Sequence, residues 1–196
     1  NHKPELICAL TPFEAKCGFR PLDETRELFS ALADSGLDEI RARLREVGPE
    51  ADVVAGLVGW LLRLDDGRAT EVVAATARAA SSVSAPPEHA AALGWVEELA
   101  LSYPGDVGVT VSLLLNHVVL APGEALFLEA GVLHSYLRGS AVEIMASSDN
   151  VVRAGLTPKH VDVEELMNIG VWAPGAPAVQ AANGPVHTLD ASVVDF

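Results

Sequence analysis

Between residues 130 and 166 the chain reads AGVLHSYLRGSAVEIMASSDNVVRAGLTPKHVDVEEL. Here a histidine, a tyrosine, two carboxylates and two cations follow one another at spacings that strands and turns can converge. His134 and Tyr136 alternate, so in an extended strand both side chains point to one face. Spacing alone favours a hydrogen-bonded core histidine over a metal ligand. Glu143 follows a tight turn at Arg138-Gly139-Ser140. A carboxylate on the interior of a small barrel must be paired, ligate a metal or titrate abnormally.

From Asn150 to Val161 there is no acidic residue, while Arg153 and Lys159 are present with His160 beside them. The pattern admits two readings. Arg153 can pair with Asp149 and Lys159 can be a solvated loop lysine. Alternatively the stretch is an anion site, with a guanidinium fork suited to phosphate or a developing oxyanion. At the other end of the chain, NHKPE places His2, Lys3 and Glu5 within four residues. In an extended segment Lys3 shares a side with Glu5 and His2 faces the other way. Glu5 is of a type that supplies an oxygen ligand to zinc. The alternative is a charged terminus without a role.

The rest of the chain must position these groups. Residues 1–10 read as a strand and 11–24 as a connecting loop punctuated by Gly18 and Pro21. From Asp23, taken as an N-cap, apolar residues recur at helical spacing through five segments. The third is the clearest, with Val53, Val54, Leu57, Val58, Leu61 and Leu62 on one face, and the fifth opens at Pro86-Pro87. Residues 23–102 therefore form a helical domain. The run Val107–Leu115 reads equally as helix or strand and is strand by its end. Short strands with Pro-Gly turns follow, with Val118–Leu120 and Ala125–Leu128 as a hairpin, which suggests a barrel or jelly roll. Asp162 to Met167 is one or two helical turns, and residues 170–196 form an extended connector.

The 196 residues are 49% hydrophobic, enough for a sizeable core. Thirteen Lys and Arg against 27 Asp and Glu give a formal net charge of −14. That field repels nucleic acid and anionic membranes, and it requires local positive charge at any phosphate site. Cys8 and Cys17 form neither a zinc knuckle nor a disulfide framework, and reduced thiols in a cytoplasmic protein are the expectation. No apolar run is long enough to span a bilayer.

Taken together and in order, NHKPEL, FEAKCGFRP, YPGD, LNHVVLAPGEALFLEAGVLHSYL and VEIMASSDNVVRAGLTPKHVD resemble type I mannose-6-phosphate isomerase, a family of the cupin superfamily. The resemblance covers most of residues 1–166. It implies an α+β fold, a cupin-like antiparallel β jelly roll with an inserted all-helical domain. Residues 1–22 and 103–167 would form the β region, 23–102 the insertion, and 168–196 a connector toward a further β part. It implies a zinc-dependent aldose–ketose isomerase acting on a small sugar phosphate, without nucleic-acid or membrane partners and monomeric when intact. Glu5 and His134 match two zinc ligands. The other two belong to a Gln-x-His motif upstream of the matched region, so the chain is expected to be a fragment. Lys3 and Arg153 match a catalytic lysine and arginine. Tyr136, Asp149 and Lys159 match pocket residues, with Glu143 assigned to substrate binding. His2 and Asp149 are both candidates for the general base. Lys16, Glu129 and Ser147 depart from the family pattern. A non-catalytic sugar-phosphate-binding cupin, or an inactive piece of the isomerase, is the alternative.

Overall fold

The computed structural model describes residues 3–83, 87–148 and 151–181. Two antiparallel sheets face each other, with helices packed against one of them. The first sheet has the order β6-β1-β4-β7 and the second β3-β2-β5. Their strands are β1 Glu5–Ala9, β2 Phe13–Phe19, β3 Leu115–Leu120, β4 Ala125–Leu128, β5 His134–Arg138, β6 Ala141–Met145 and β7 Val179–Gln180. The α+β expectation holds.

Segment 13–19, read above as loop, is the central strand of the second sheet. Phe13, Ala15 and Cys17 point inward, as strand alternation requires, toward Ile7, Val118, Leu120, Leu126 and Leu128. The opposite face carries Glu14 and Lys16, and the helices bury it. Two charged residues on a covered face hid the strand pattern.

The expected hairpin of Val118–Leu120 with Ala125–Leu128 does not form. β3 pairs with β2, whereas β4 pairs with β1 and β7, so the turn at 121–124 carries the chain from one sheet to the other. The chain makes the same crossing between β1 and β2 and between β5 and β6. Each crossing puts consecutive strands on opposite walls of the sandwich. Gly139 makes the last one possible: its φ is +115°, and a Cβ there would meet Pro12 O at 2.6 Å.

Between β2 and β3, which pair directly, the chain runs out through α1 Leu22–Ala31, a 3-10 turn at Ser35–Leu37, α2 Asp38–Leu44, α3 Glu50–Leu61, α4 Asp66–Ser82, α5 Pro87–Ser102 and α6 Gly108–Val111. α1 starts one residue before Asp23, which lies in the first turn and makes no cap; Pro21 occupies the cap position. α3 buries Val53, Val54, Leu57, Val58 and Leu61, as its spacing predicts. Each such side chain contributes about 1.5–3 kcal/mol on burial. This helical core joins the sheets through Phe19, Leu114 and Leu115. The ambiguous run after Val107 resolves as the short helix α6 followed by β3.

Beyond β6, α7 Val163–Ile169 is capped by the Asp162 carboxylate, which accepts from Glu165 N at 3.0 Å. As far as residue 181, the segment after it is held to the sheets. Val171 N donates to Gly131 O at 2.9 Å, Trp172 stacks on Phe19, and Val179–Gln180 pairs with β4. Among the described residues no helix is long and apolar enough to cross a membrane.

Candidate active site

The site is built across the sandwich. Glu5 opens β1 on one sheet, on the same face as Ile7, and it is buried. His134 opens β5 on the other sheet, opposite Cys17. Their side chains meet: His134 Nε2 lies 3.0 Å from Glu5 Oε2. The other carboxylate oxygen of Glu5 accepts from Lys3 Nζ at 2.6 Å. Lys3 and Glu5 share one side of the strand, as their spacing requires.

His134 Nδ1 lies 2.9 Å from Val132 O. A carbonyl oxygen only accepts, so Nδ1 carries the proton and Nε2 is the atom turned to Glu5. In neutral imidazole, Nε2 then presents a lone pair to a carboxylate oxygen, two acceptors facing each other. A cation between them relieves that conflict; otherwise a second proton makes an ion pair. A histidine oriented through Nδ1 toward a backbone carbonyl, with Nε2 toward a carboxylate, is the arrangement of a metal ligand. The pair fits zinc in donor type. Two donors do not complete a site, and among the described residues no group of three His, Cys, Asp or Glu gathers as a metal cage.

Two residues further on, Tyr136 lies on the same face of β5 and is still about a third exposed, its ring 5.6 Å from that of His134. Its phenol donates to Glu143 Oε1 at 2.5 Å, across the sandwich from β6. Burial first, and then the Glu143 carboxylate, push the Tyr136 phenol well above its ordinary value. Tyr136 is therefore a donor and not a phenolate base. Burial pushes the neighbouring Cys17 thiol up to about 11, which removes it as a nucleophile at neutral pH.

Two cavities flank His134. A smaller one of about 150 Å³ is lined by Lys3, Glu5, Glu129, His134 and Val152 among others. A larger one of about 240 Å³ is lined by Lys16, Ser112, His134, Ser135, Arg153 and the backbone around Gly155. Val132, Leu133, His134, Val151 and Val152 belong to both walls. The loop that brings Arg153 here is tied to α6 by the Asp106 carboxylate, which accepts from Gly108 N at 2.7 Å and Thr157 N at 3.4 Å.

No family model matches the chain. Relatives are found by direct comparison. The chain is 34% identical over 215 residues to the mannose-6-phosphate isomerase of Rattus norvegicus, an alignment taking in 100% of this chain and 50% of that protein. It is 40% identical over 186 residues to the enzyme of the same name from Escherichia coli, covering 95% of this chain and 45% of that protein. A crystal structure of a mannose 6-phosphate isomerase with zinc bound superposes with a TM-score of 0.78 at 38% identity, over 89% of this chain and 43% of that one.

The chain is a homologue of the mannose-6-phosphate isomerases. It spans about half the length of the curated relatives it matches. The cupin-type sandwich of that zinc-bound isomerase is the fold described above.

The structure brings together Lys3, Glu5, His134, Tyr136 and Glu143, and places Arg153 on the wall next to His134. Lys159 sits exposed in its loop, its backbone N–H donating to Thr157 Oγ1 at 3.1 Å, and it lines neither of these cavities. His2 and Asp149 lie outside the described residues. One residue escaped sequence reasoning. Lys16 is fully buried, and its Nζ has no hydrogen-bond partner. The signal was a lysine at the centre of an alternating Phe-x-Ala-x-Cys-x-Phe strand.

Proposed function

We propose that the polypeptide carrying this chain is a zinc-dependent aldose–ketose isomerase that interconverts mannose 6-phosphate and fructose 6-phosphate. The approach of His134 Nε2 to Glu5 Oε2, with Nδ1 fixed by Val132 O, is the observation that carries this reading. Glu5 and His134 are two of the zinc ligands, and the remaining ligands come from outside the described residues. Zinc, when bound, supplies Lewis acidity toward the substrate's carbonyl and hydroxyl oxygens.

The chain's own residues do the rest. Lys3 holds the Glu5 carboxylate in place through Oε1 and adds positive charge beside the reacting carbons. Arg153, on the adjoining wall, stabilises the negative charge that builds on oxygen as a proton leaves carbon. Tyr136 fixes Glu143 through Oε1, which leaves Oε2 to hold a sugar hydroxyl. His2 or Asp149 moves the proton between the adjacent carbons. Arg153 offers positive charge to the phosphate in a chain of net charge −14, with Lys159 exposed further along the same loop. In this reading residues 23–102 are an insertion that backs the second sheet, and the intact protein is a cytoplasmic monomer.

A coupled assay of fructose 6-phosphate formation on the full-length polypeptide tests this. Turnover that is lost on chelation and restored by zinc is expected. A zinc-loaded protein that binds sugar phosphate without turnover would instead make it a binding cupin.

A further inference from the structure

Lys16 is the most deeply buried cation in the described structure, at 0% exposure, and none of its three N–H donors is used. A buried charge without partners is expensive, so the residue calls for a ligand or for neutralisation. The Glu14 carboxylate on the same strand face acts on it through charge but makes no hydrogen bond with it. Glu14 accepts from Trp95 Nε1 at 2.7 Å and lies 3.3 Å from His117 Nε2. Arg20, one turn of the strand away, is engaged with His89 Nδ1 and Leu115 O.

Lys16 lines the larger cavity beside His134, and so does Arg153. Among the described residues the lining of that cavity contains no Asp or Glu. In a chain with 27 acidic and 13 basic residues, a wall whose formally charged residues are Lys16 and Arg153 is selected for anions. Its volume of about 240 Å³ admits a phosphoryl group together with part of a sugar.

We propose that Lys16 is a phosphate-binding residue of this protein, holding the phosphoryl group of the sugar phosphate from the sheet side of the cavity while Arg153 faces it from the loop. The inference rests on the isomerase reading for the identity of the ligand, but not for the anion site itself. Burial, and then the Arg20 charge, hold the Lys16 amine down to about 7, so an arriving dianion supplies the partner that favours the ammonium form. Charge-assisted hydrogen bonds of this kind outweigh neutral ones.

The test is calorimetric titration of the full-length polypeptide with inorganic phosphate, alongside steady-state kinetics with mannose 6-phosphate. Three proteins are compared: wild type, Lys16→Met and Lys16→Arg. Methionine matches the buried stem and removes an unpaired amine, so this variant is expected to fold with a melting temperature at or above that of wild type. The phosphate Kd and the KM for mannose 6-phosphate should both rise about tenfold or more in Lys16→Met. Zinc content should stay the same, and Lys16→Arg should recover part of the affinity. A folded Lys16→Met protein with phosphate Kd and KM within twofold of wild type would overturn the proposal, as would a wild type that does not bind phosphate. Phosphate binding that depends on Lys16 in a wild type without isomerase turnover would uphold the anion site and defeat the isomerase reading alone.

Discussion

His134 Nε2 and Glu5 Oε2 approach to 3.0 Å from opposite sheets of the sandwich. Neither strand would make a site alone. The contact exists because β1 and β5 lie in different sheets, the chain crossing after β4 to enter β5, which leaves the first residues of the two strands face to face. Glu5→Gln keeps the shape of the side chain and removes the anionic oxygen. It should weaken zinc binding by more than the roughly 10–100-fold that outer-shell partners contribute, without unfolding the protein. Competition against a chromophoric chelator measures this. Unchanged affinity would place the metal elsewhere.

Arg153 lines the cavity beside His134 but donates nothing to the Glu5–His134 pair. Arg153→Ala should therefore lower kcat/KM by roughly 10²–10³, the range for loss of a donor that stabilises developing charge, while zinc content stays at the wild-type level. Metal loss in this variant would show that the two roles are not separable.

Lys16 makes stability depend on pH. The unfolded chain binds its proton at the ordinary lysine value of 10.5, and the folded protein binds it at about 7 because the amine is buried. Between those values the unfolded state holds the extra proton, so stability rises with pH across the window. Below about 7 the cost of the buried charge is fully present. Melting temperatures measured from pH 7 to 10 should climb more steeply for wild type than for Lys16→Met, in a buffer free of phosphate. Parallel curves would contradict the burial of Lys16.

Gly131 holds the loop that delivers His134. Its φ is +85°, its carbonyl accepts from Val171 N, and a Cβ there would stand 2.5 Å from Ile169 O. Gly131→Ala combines backbone strain with a collision against main chain. It should destabilise the fold by about 1–3 kcal/mol and loosen zinc at the same time. Urea unfolding with a parallel zinc assay would show both effects; a wild-type midpoint would remove the loop from the account.

Much of the site was legible because it rests on strand alternation. Lys3 with Glu5 and His134 with Tyr136 are pairs two residues apart, and both pairs share a face in the structure as they do in the sequence pattern. Which strands pair was not legible. The turns at 121–124 and 138–140 look like hairpin turns, and nothing local distinguishes a strand that folds back in its own sheet from one that crosses to the other. Hence the Tyr136–Glu143 bond was found only in three dimensions. β2 was missed because Glu14 and Lys16 sit on a face that long-range packing with the helices buries. Lys159 reads as part of one positive island with Arg153, yet the backbone turn at Gly155 sends only Arg153 to the cavity wall.

If Glu5 and His134 jointly hold zinc, the zinc stoichiometry of His134→Ala must fall. The measurement is metal content per chain in the full-length polypeptide, by atomic emission after dialysis. One zinc per chain is expected in wild type, and its loss in a His134→Ala protein that remains folded. Full zinc occupancy in that variant would contradict it.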